Sequence, residues 1–198
     1  PEVLALPEGE REAELLKQGR VPFGSEIQVR DAEGRVAPKN GETFGPLWIR
    51  GPWIASGYFK GEGGQVLDAD GWFPTGDVAT WDELGFMKIT DRTKDVIKSG
   101  GEWISSIDVE NAAMSHPRVA LAAAVAAYHA TWDERPVVVV VPKDGQDITR
   151  EEMLEFLAPR MAKWWLPDDV VCVRELPMTA TGKILKSKLR EQYWQRLK

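Results

Sequence analysis

The sequence predicts an α+β fold in two parts, a small antiparallel β subdomain of barrel type followed by a small domain that mixes helices and strands. Three observations carry this expectation. Residues 24–90 are short alternating apolar segments broken by Gly, Pro, Asn and Asp, the pattern of antiparallel strands and turns. Past about Asp91 the texture changes, and two capping boxes led by Ser105 and Thr149 open helical segments. Between them lies an unbroken valine run, residues 137–141, bounded by Pro136 and Pro142, which reads as a buried strand. At 198 residues the chain suits one medium domain or two small ones.

The elements follow in order. Residues 1–19 read as loop with a short helical piece over 10–17. Residues 26–30 alternate as a strand does, and Glu33-Gly34 closes a turn. A second strand is expected over 47–51. Residues 78–81 and 86–90 flank Asp82-Glu83-Leu84-Gly85 and form a hairpin. The charged stretch 91–95 has no apolar period and marks the boundary between the parts. Ser105-Ser106-Ile107-Asp108 caps a helix that runs through Met114 and stops at Pro117. Residues 119–128 are strand-like, although their alanines also fit a helix. Thr149-Arg150-Glu151-Glu152 starts a helix to about Met161. A short strand over 169–173 and a terminal helix from Gly182 onward complete the chain.

Composition narrows the function. A net charge of −6 argues against general binding to nucleic-acid backbones. No apolar run approaches the roughly 18 residues of a membrane helix, and no basic segment followed by an apolar stretch opens the chain. Neither a membrane span nor a secretion signal is therefore expected. The single Cys172 and the two histidines, His116 and His129, leave no disulfide and no Cys- or His-rich metal site. These features suit a reducing cytoplasm. The tail is basic, with Lys183, Lys186, Lys188, Arg190, Arg196 and Lys198 against Glu191. Such a run reads as a solvated helix face or, more sharply, as counter-charge to a phosphate-rich small ligand. Nine tryptophans are many for this length, so several are expected at the surface, where an indole can stack on a purine.

Four sites have candidate chemistry. Asp77 follows Gly76 at the end of a loop, where its carboxylate can take both hydroxyls of a vicinal diol such as ribose, or merely stabilise a turn. Arg92 offers a fork of donors to phosphate or ribose oxygens, or an interdomain ion pair, as does Asp95 on the acidic side. Gly100-Gly101 permits close approach of a ligand to the backbone, or is a plain turn. In Pro177-Met178-Thr179-Ala180-Thr181-Gly182-Lys183, Gly182 bends the chain just before a lysine. That amine is a mobile point charge suited to carboxylate or phosphate oxygens, although a lone lysine at the start of a basic helix is ordinarily a surface residue.

Taken in order, Thr75-Gly76-Asp77, then Asp91-Arg92-x-Lys94-Asp95-x-Ile97-Lys98-x-Gly100-Gly101, then Pro177-x-x-x-x-Gly182-Lys183-Ile184 resemble the C-terminal part of the adenylate-forming enzymes. These are the acyl-CoA synthetases, adenylation domains and luciferases. Residues 45–58 look like a further motif of that superfamily, except that Pro46 stands where the family usually has Glu. Residues 163–169 are most similar to the medium-chain fatty acyl-CoA synthetases. The resemblance covers roughly residues 20–198.

The resemblance implies a C-terminal lid domain, residues 96–198, joined through a hinge at 92–95 to the end of a large N-terminal domain, residues 1–91. It implies an AMP-forming acid–thiol ligase, which activates a carboxylic (fatty) acid with ATP as acyl-AMP and passes the acyl group to CoA. By position, Asp77 would hold the ATP ribose and Arg92 the ribose or phosphate. Lys94 would be the hinge, and Lys98 would lie near the adenylate. Ser99, Gly100 and Gly101 would line the pantetheine tunnel, Trp132 and Trp164 would contact the CoA nucleotide, and Lys183 would be the catalytic lysine of adenylation. The family's phosphate loop and acyl pocket have no counterpart here, and Gly61-Glu62-Gly63-Gly64 fits neither. The resemblance places them, and the Mg2+ expected with ATP, in an N-terminal part that this chain lacks. Two other readings stay open: an inactive or docking module that needs an upstream half, and an adenylating domain that loads a carrier protein.

Overall fold

The computed structural model describes residues 3–31 and 33–198. Pro1 and Glu2, the start of the expected N-terminal loop, and Ala32 lie outside the described residues. The chain divides into two compact units, residues 1–94 and 95–198.

The first unit carries α1 (Glu8–Leu15), β1 (Gly19–Arg20), β2 (Glu26–Val29), β3 (Gly45–Arg50), β4 (Phe73–Trp81) and β5 (Phe86–Arg92). Helix α1 starts two residues earlier than its pattern predicts. Pro7 at its N-cap and Glu8 and Glu10 in its first turn explain the shift, since proline presets the backbone and acidic groups suit a helix N-terminus. The strands form one antiparallel sheet in the order β1-β5-β4-β3-β2. The expected barrel is corrected to an open sheet. Closure requires the first and last strands of the order to bond, and β1 has only two residues, both paired to β5. The β4–β5 hairpin closes as the sequence predicts, with the Gly85 N–H donating to the Asp82 C=O at 2.9 Å and Gly85 at φ +79°.

Val29, Ala37, Leu47, Ala79 and Trp81 form the core of this sheet. The buried indole of Trp81 donates to the Ala37 carbonyl at 3.1 Å, so its polar edge is satisfied. Gly45 is buried where β3 passes β2, and a Cβ there would stand 1.8 Å from the Arg30 carbonyl oxygen. Backbone cannot yield as a flexible side chain does. Gly45→Ala is expected to lower stability by about 2–3 kcal/mol, measured as a drop in denaturation midpoint. An unchanged midpoint would show that β2 can move aside.

The second unit carries β6 (Ile97–Ser99), β7 (Glu102–Ile104), α2 (Ser106–Met114), β8 (Val119–His129), β9 (Asp133–Pro142), α3 (Arg150–Leu157), β10 (Asp169–Cys172) and α4 (Lys186–Tyr193). Strand β9 is its centre. It pairs antiparallel with β8 along ten residue pairs and parallel with β10 from Val137 to Val140. A strand bonded on both sides and covered on both faces needs apolar residues throughout, which is why the valines run unbroken.

The alanines of β8 have the same cause. Ala122, Ala124 and Ala126 join Val138 and Val140 on one face, packed with Val109 and Ala113 of α2 and Met153 and Leu157 of α3. Ala123, Val125 and Val139 face the other way, against Leu176 and the α4 residues Leu189 and Tyr193. Small side chains let helices approach both faces of one strand, and the ambiguity between helix and strand resolves to strand. Both N-caps are in place. The Ser105 hydroxyl accepts from the Asp108 N–H at 3.1 Å, and the Thr149 hydroxyl accepts from the Glu152 N–H at 3.2 Å. Helix α3 ends at Leu157, short of the expected Met161: Ala158 is still αR and bonds back to Leu154, but Pro159 has no N–H to continue the ladder.

Candidate active site

The first unit holds Asp77 and Arg92. Asp77 lies within β4 rather than at the end of a loop, as expected from the sequence; Gly76 adopts φ +79° inside the strand and lets it continue. Asp77 and Arg92 are direct cross-strand partners on β4 and β5. The Arg92 Nε stands 3.4 Å from the Asp77 carboxylate, while the Arg92 side chain is about three-quarters exposed. Such an exposed pair contributes little stability and leaves both groups accessible to a ligand. Arg92 pairs with Asp77 within the first unit, and Asp95 pairs with Arg190 within the second. Lys94 is exposed and is the last residue before the division between the units.

The second unit brings Ser99, Gly100, Trp132 and Trp164 together around an open cleft of about 300 Å³. Gly100 and Gly101 form the turn of the β6–β7 hairpin, with φ +58° and +89°. Two successive positive φ angles belong to the tight hairpin turn that Gly-Gly favours. The loop expected at residues 99–101 is thus the tip of a hairpin, whose three-residue strands are too short to carry a period. Gly100 has a second reason to be glycine. Its N–H donates to the Trp132 carbonyl at 2.9 Å, and a Cβ on it would stand 2.6 Å from the Trp132 ring. Gly101 faces open space, so its φ alone selects glycine.

Trp132 is set by the β8–β9 turn. The His129 Nδ1 accepts the N–H groups of Thr131 and Trp132, both at 3.2 Å. Trp132 and Trp164 are both about half exposed. Glu102, Arg135 and Asp168 also line the cleft, and the sequence reading missed all three. A signal existed: Asp133-Glu134-Arg135 is a charged cluster directly before a buried valine strand. Lys98 lies on β6 with its side chain exposed, its backbone N–H donating to Glu134 at 2.7 Å and its ammonium 5.7 Å from the Trp103 ring.

Lys183 stands at the tip of a pinned loop. The Lys183 carbonyl accepts from the Thr179 N–H at 2.7 Å, and the Lys183 N–H donates to the Thr179 hydroxyl at 3.1 Å. The Leu185 N–H returns to the Pro177 carbonyl at 2.7 Å, and Met178 bridges to Ile184. Gly182 turns the chain at φ +77°. This return explains why α4 starts at Lys186 and not at Gly182 as expected. The Lys183 ammonium is exposed and has no hydrogen-bond or ion-pair partner among the described residues.

Lys188, Arg196 and Lys198 of the basic tail are exposed, as a solvated face requires, while several of its charges are also paired. The Lys186 ammonium lies 2.6 Å from the Glu110 carboxylate and 2.7 Å from the Ser106 hydroxyl. Arg190 pairs with Asp95, and Arg196 with Asp169 at 2.6 Å. No group of three or more His, Cys, Asp or Glu among the described residues is arranged to hold a metal ion. No helix among the described residues is long and apolar enough to cross a membrane.

Residues 108–183 match the family model of the AMP-binding enzyme C-terminal domain. Over 188 residues the chain is 49% identical to the 3-methylmercaptopropionyl-CoA ligase of Ruegeria lacuscaerulensis, covering 95% of this chain and 35% of that protein. It is 47% identical over 176 residues to the medium-chain-fatty-acid–CoA ligase of Ectopseudomonas oleovorans, covering 89% of this chain and 32% of that one. Among solved structures, ATP-bound MatB from Rhodopseudomonas palustris superposes with a TM-score of 0.80 at 29% identity, over 92% of this chain and 36% of that chain. The chain thus spans about a third of the length of the curated relatives it matches. The second unit thus carries an AMP-binding enzyme C-terminal domain, and along nearly its whole length the chain is similar to the C-terminal part of acyl-CoA ligases.

Proposed function

We propose that this chain serves an ATP-dependent acyl-CoA ligase that activates a carboxylic acid of fatty-acid type and transfers the acyl group to CoA. One observation carries the reading: a lysine amine without an internal partner, held out on a loop whose backbone is pinned by hydrogen bonds. In the first half-reaction the carboxylate oxygen attacks the ATP α-phosphorus and pyrophosphate leaves. Lys183 neutralises the negative charge that builds on those oxygens, a role that benefits from a preset position. In the second, the CoA sulfur gives up its proton, attacks the acyl carbon and expels AMP.

Asp77 binds the ribose hydroxyls, with Arg92 beside it on ribose or phosphate. Lys98 lies near the adenylate. Ser99, Gly100 and Gly101 guide the pantetheine arm, and Trp132 and Trp164 take the nucleotide end. Lys94 is the hinge about which the C-terminal domain turns between the half-reactions. The phosphate loop, the acyl pocket and the Mg2+ site belong to the N-terminal part of the whole protein. A cytoplasmic setting, where ATP and CoA are both at hand, fits the reading. Relatives of nearly equal identity are named for different acids, so the acyl group is proposed only as a class.

The test uses the full-length protein with ATP, a series of fatty acids and either free CoA or an acyl-carrier protein. Acid-dependent AMP release that requires CoA is expected. Release that requires the carrier protein instead would overturn the acceptor, and the absence of acid-dependent ATP–pyrophosphate exchange would overturn the ligase.

A further inference from the structure

We propose that Arg135 is a positioning residue of the thioester-forming half-reaction, tying the Gly100 turn to Trp164 so that they stand as two walls of one CoA-binding cleft. The inference rests on the CoA-ligase reading above. Arg135 is largely buried, with a side chain 12% exposed. All three of its guanidinium nitrogens are engaged. Nε donates to the Asp168 carboxylate at 2.8 Å, and Nη2 lies 2.8 Å from the same oxygen. Nη1 donates to the Ser99 hydroxyl at 3.1 Å and to the Trp164 carbonyl at 2.7 Å. Nη2 also donates to the Leu166 carbonyl at 2.8 Å.

These partners come from three places in the chain: the end of β6, the turn that carries Trp164, and the segment leading into β10. Ser99 precedes Gly100, and Gly100 is bonded to Trp132. Arg135 is therefore the group through which the hairpin tip, and with it Trp132, is held at a fixed distance from Trp164. Only a planar fork makes these bonds together; a lysine is a single point donor. Charge acts in the same direction. Asp168 and Glu102 line the cleft, and the nucleotide end of CoA carries phosphates. With Arg135 in place Asp168 is neutralised. Without it, an unpaired carboxylate would face an anionic ligand.

The experiment uses the full-length protein with Arg135→Met, Arg135→Lys and Ser99→Ala. Thioester formation from supplied acyl-AMP is followed against CoA concentration, and ATP–pyrophosphate exchange is measured in parallel. Arg135→Met is expected to lower kcat/KM for CoA about tenfold or more relative to the exchange rate, mainly through KM, because small displacements of binding groups have effects of this size. Arg135→Lys is expected to restore little of it. Ser99→Ala, which cuts the Arg135 link to the hairpin together with any contact of that hydroxyl to the pantetheine arm, is expected to raise KM for CoA by about two- to threefold.

Equal loss in both half-reactions, or recovery to the wild-type KM in Arg135→Lys, would overturn the assignment and leave the ligase reading standing. If Arg135→Met does not fold, Ser99→Ala decides: a wild-type KM for CoA counts against the proposal. A wild-type protein that forms no thioester with free CoA refutes the ligase reading itself.

Discussion

Lys183→Ala in the full-length protein is expected to slow ATP–pyrophosphate exchange by about 10²–10³-fold while thioester formation from supplied acyl-AMP stays within a few-fold of wild type. The magnitude is that of removing one preset charge donor from a developing oxyanion. The asymmetry follows from the structure. The amine has no internal partner among the described residues, so its removal orphans no buried group. The loop that holds it is built from Thr179, Gly182 and the Met178–Ile184 bridge, none of which needs the side chain. Stability should therefore be unchanged, and a thermal melt serves as the control. Equal loss in both half-reactions would show that Lys183 is not specific to adenylation.

Lys186→Met is expected to cost stability, by about 3 kcal/mol, and adenylation with it. The Lys186 and Glu110 side chains are only 15% and 12% exposed, and removing one partner of such a buried pair is strongly destabilising. Glu110 would keep the Ala124 N–H, which donates to it at 2.9 Å, but would lose the Lys186 ammonium. The same lysine anchors α4 three residues after Lys183, so a loosened helix also loosens the loop. Replacing Glu110 by Gln in the same protein should recover part of the stability, since no charge then remains buried. The denaturation midpoints of the single and double variants give the coupling directly. A double variant no more stable than Lys186→Met would refute the pairing.

Much of the fold was legible in the sequence. The β4–β5 hairpin, both capped helices and the valine strand follow from local rules that tertiary packing reinforces. The alanines of β8 were ambiguous because small residues suit either a helix or a strand covered on both faces, and only long-range pairing with β9 decides. The three-residue strands β6 and β7 were missed because they are too short to show a period. The open sheet was misjudged because closure depends on pairing between distant segments. Among the proposed site residues, Asp77, Arg92, Gly100 and Lys183 are singled out by the sequence because special backbone positions or motif spacing mark them. Arg135 was not, because its role lies in bonds to residues about 30 positions away on either side.

The contact between Gly100 and the ring of Trp132 makes these two positions one unit of inheritance. Neither can change size alone: a Cβ at 100 collides with the indole, and a smaller group at 132 leaves the hairpin tip without its backstop. A redesign of this cleft would have to rewrite both together, and a lineage that acquired a side chain at the first would carry a shrunken partner at the second.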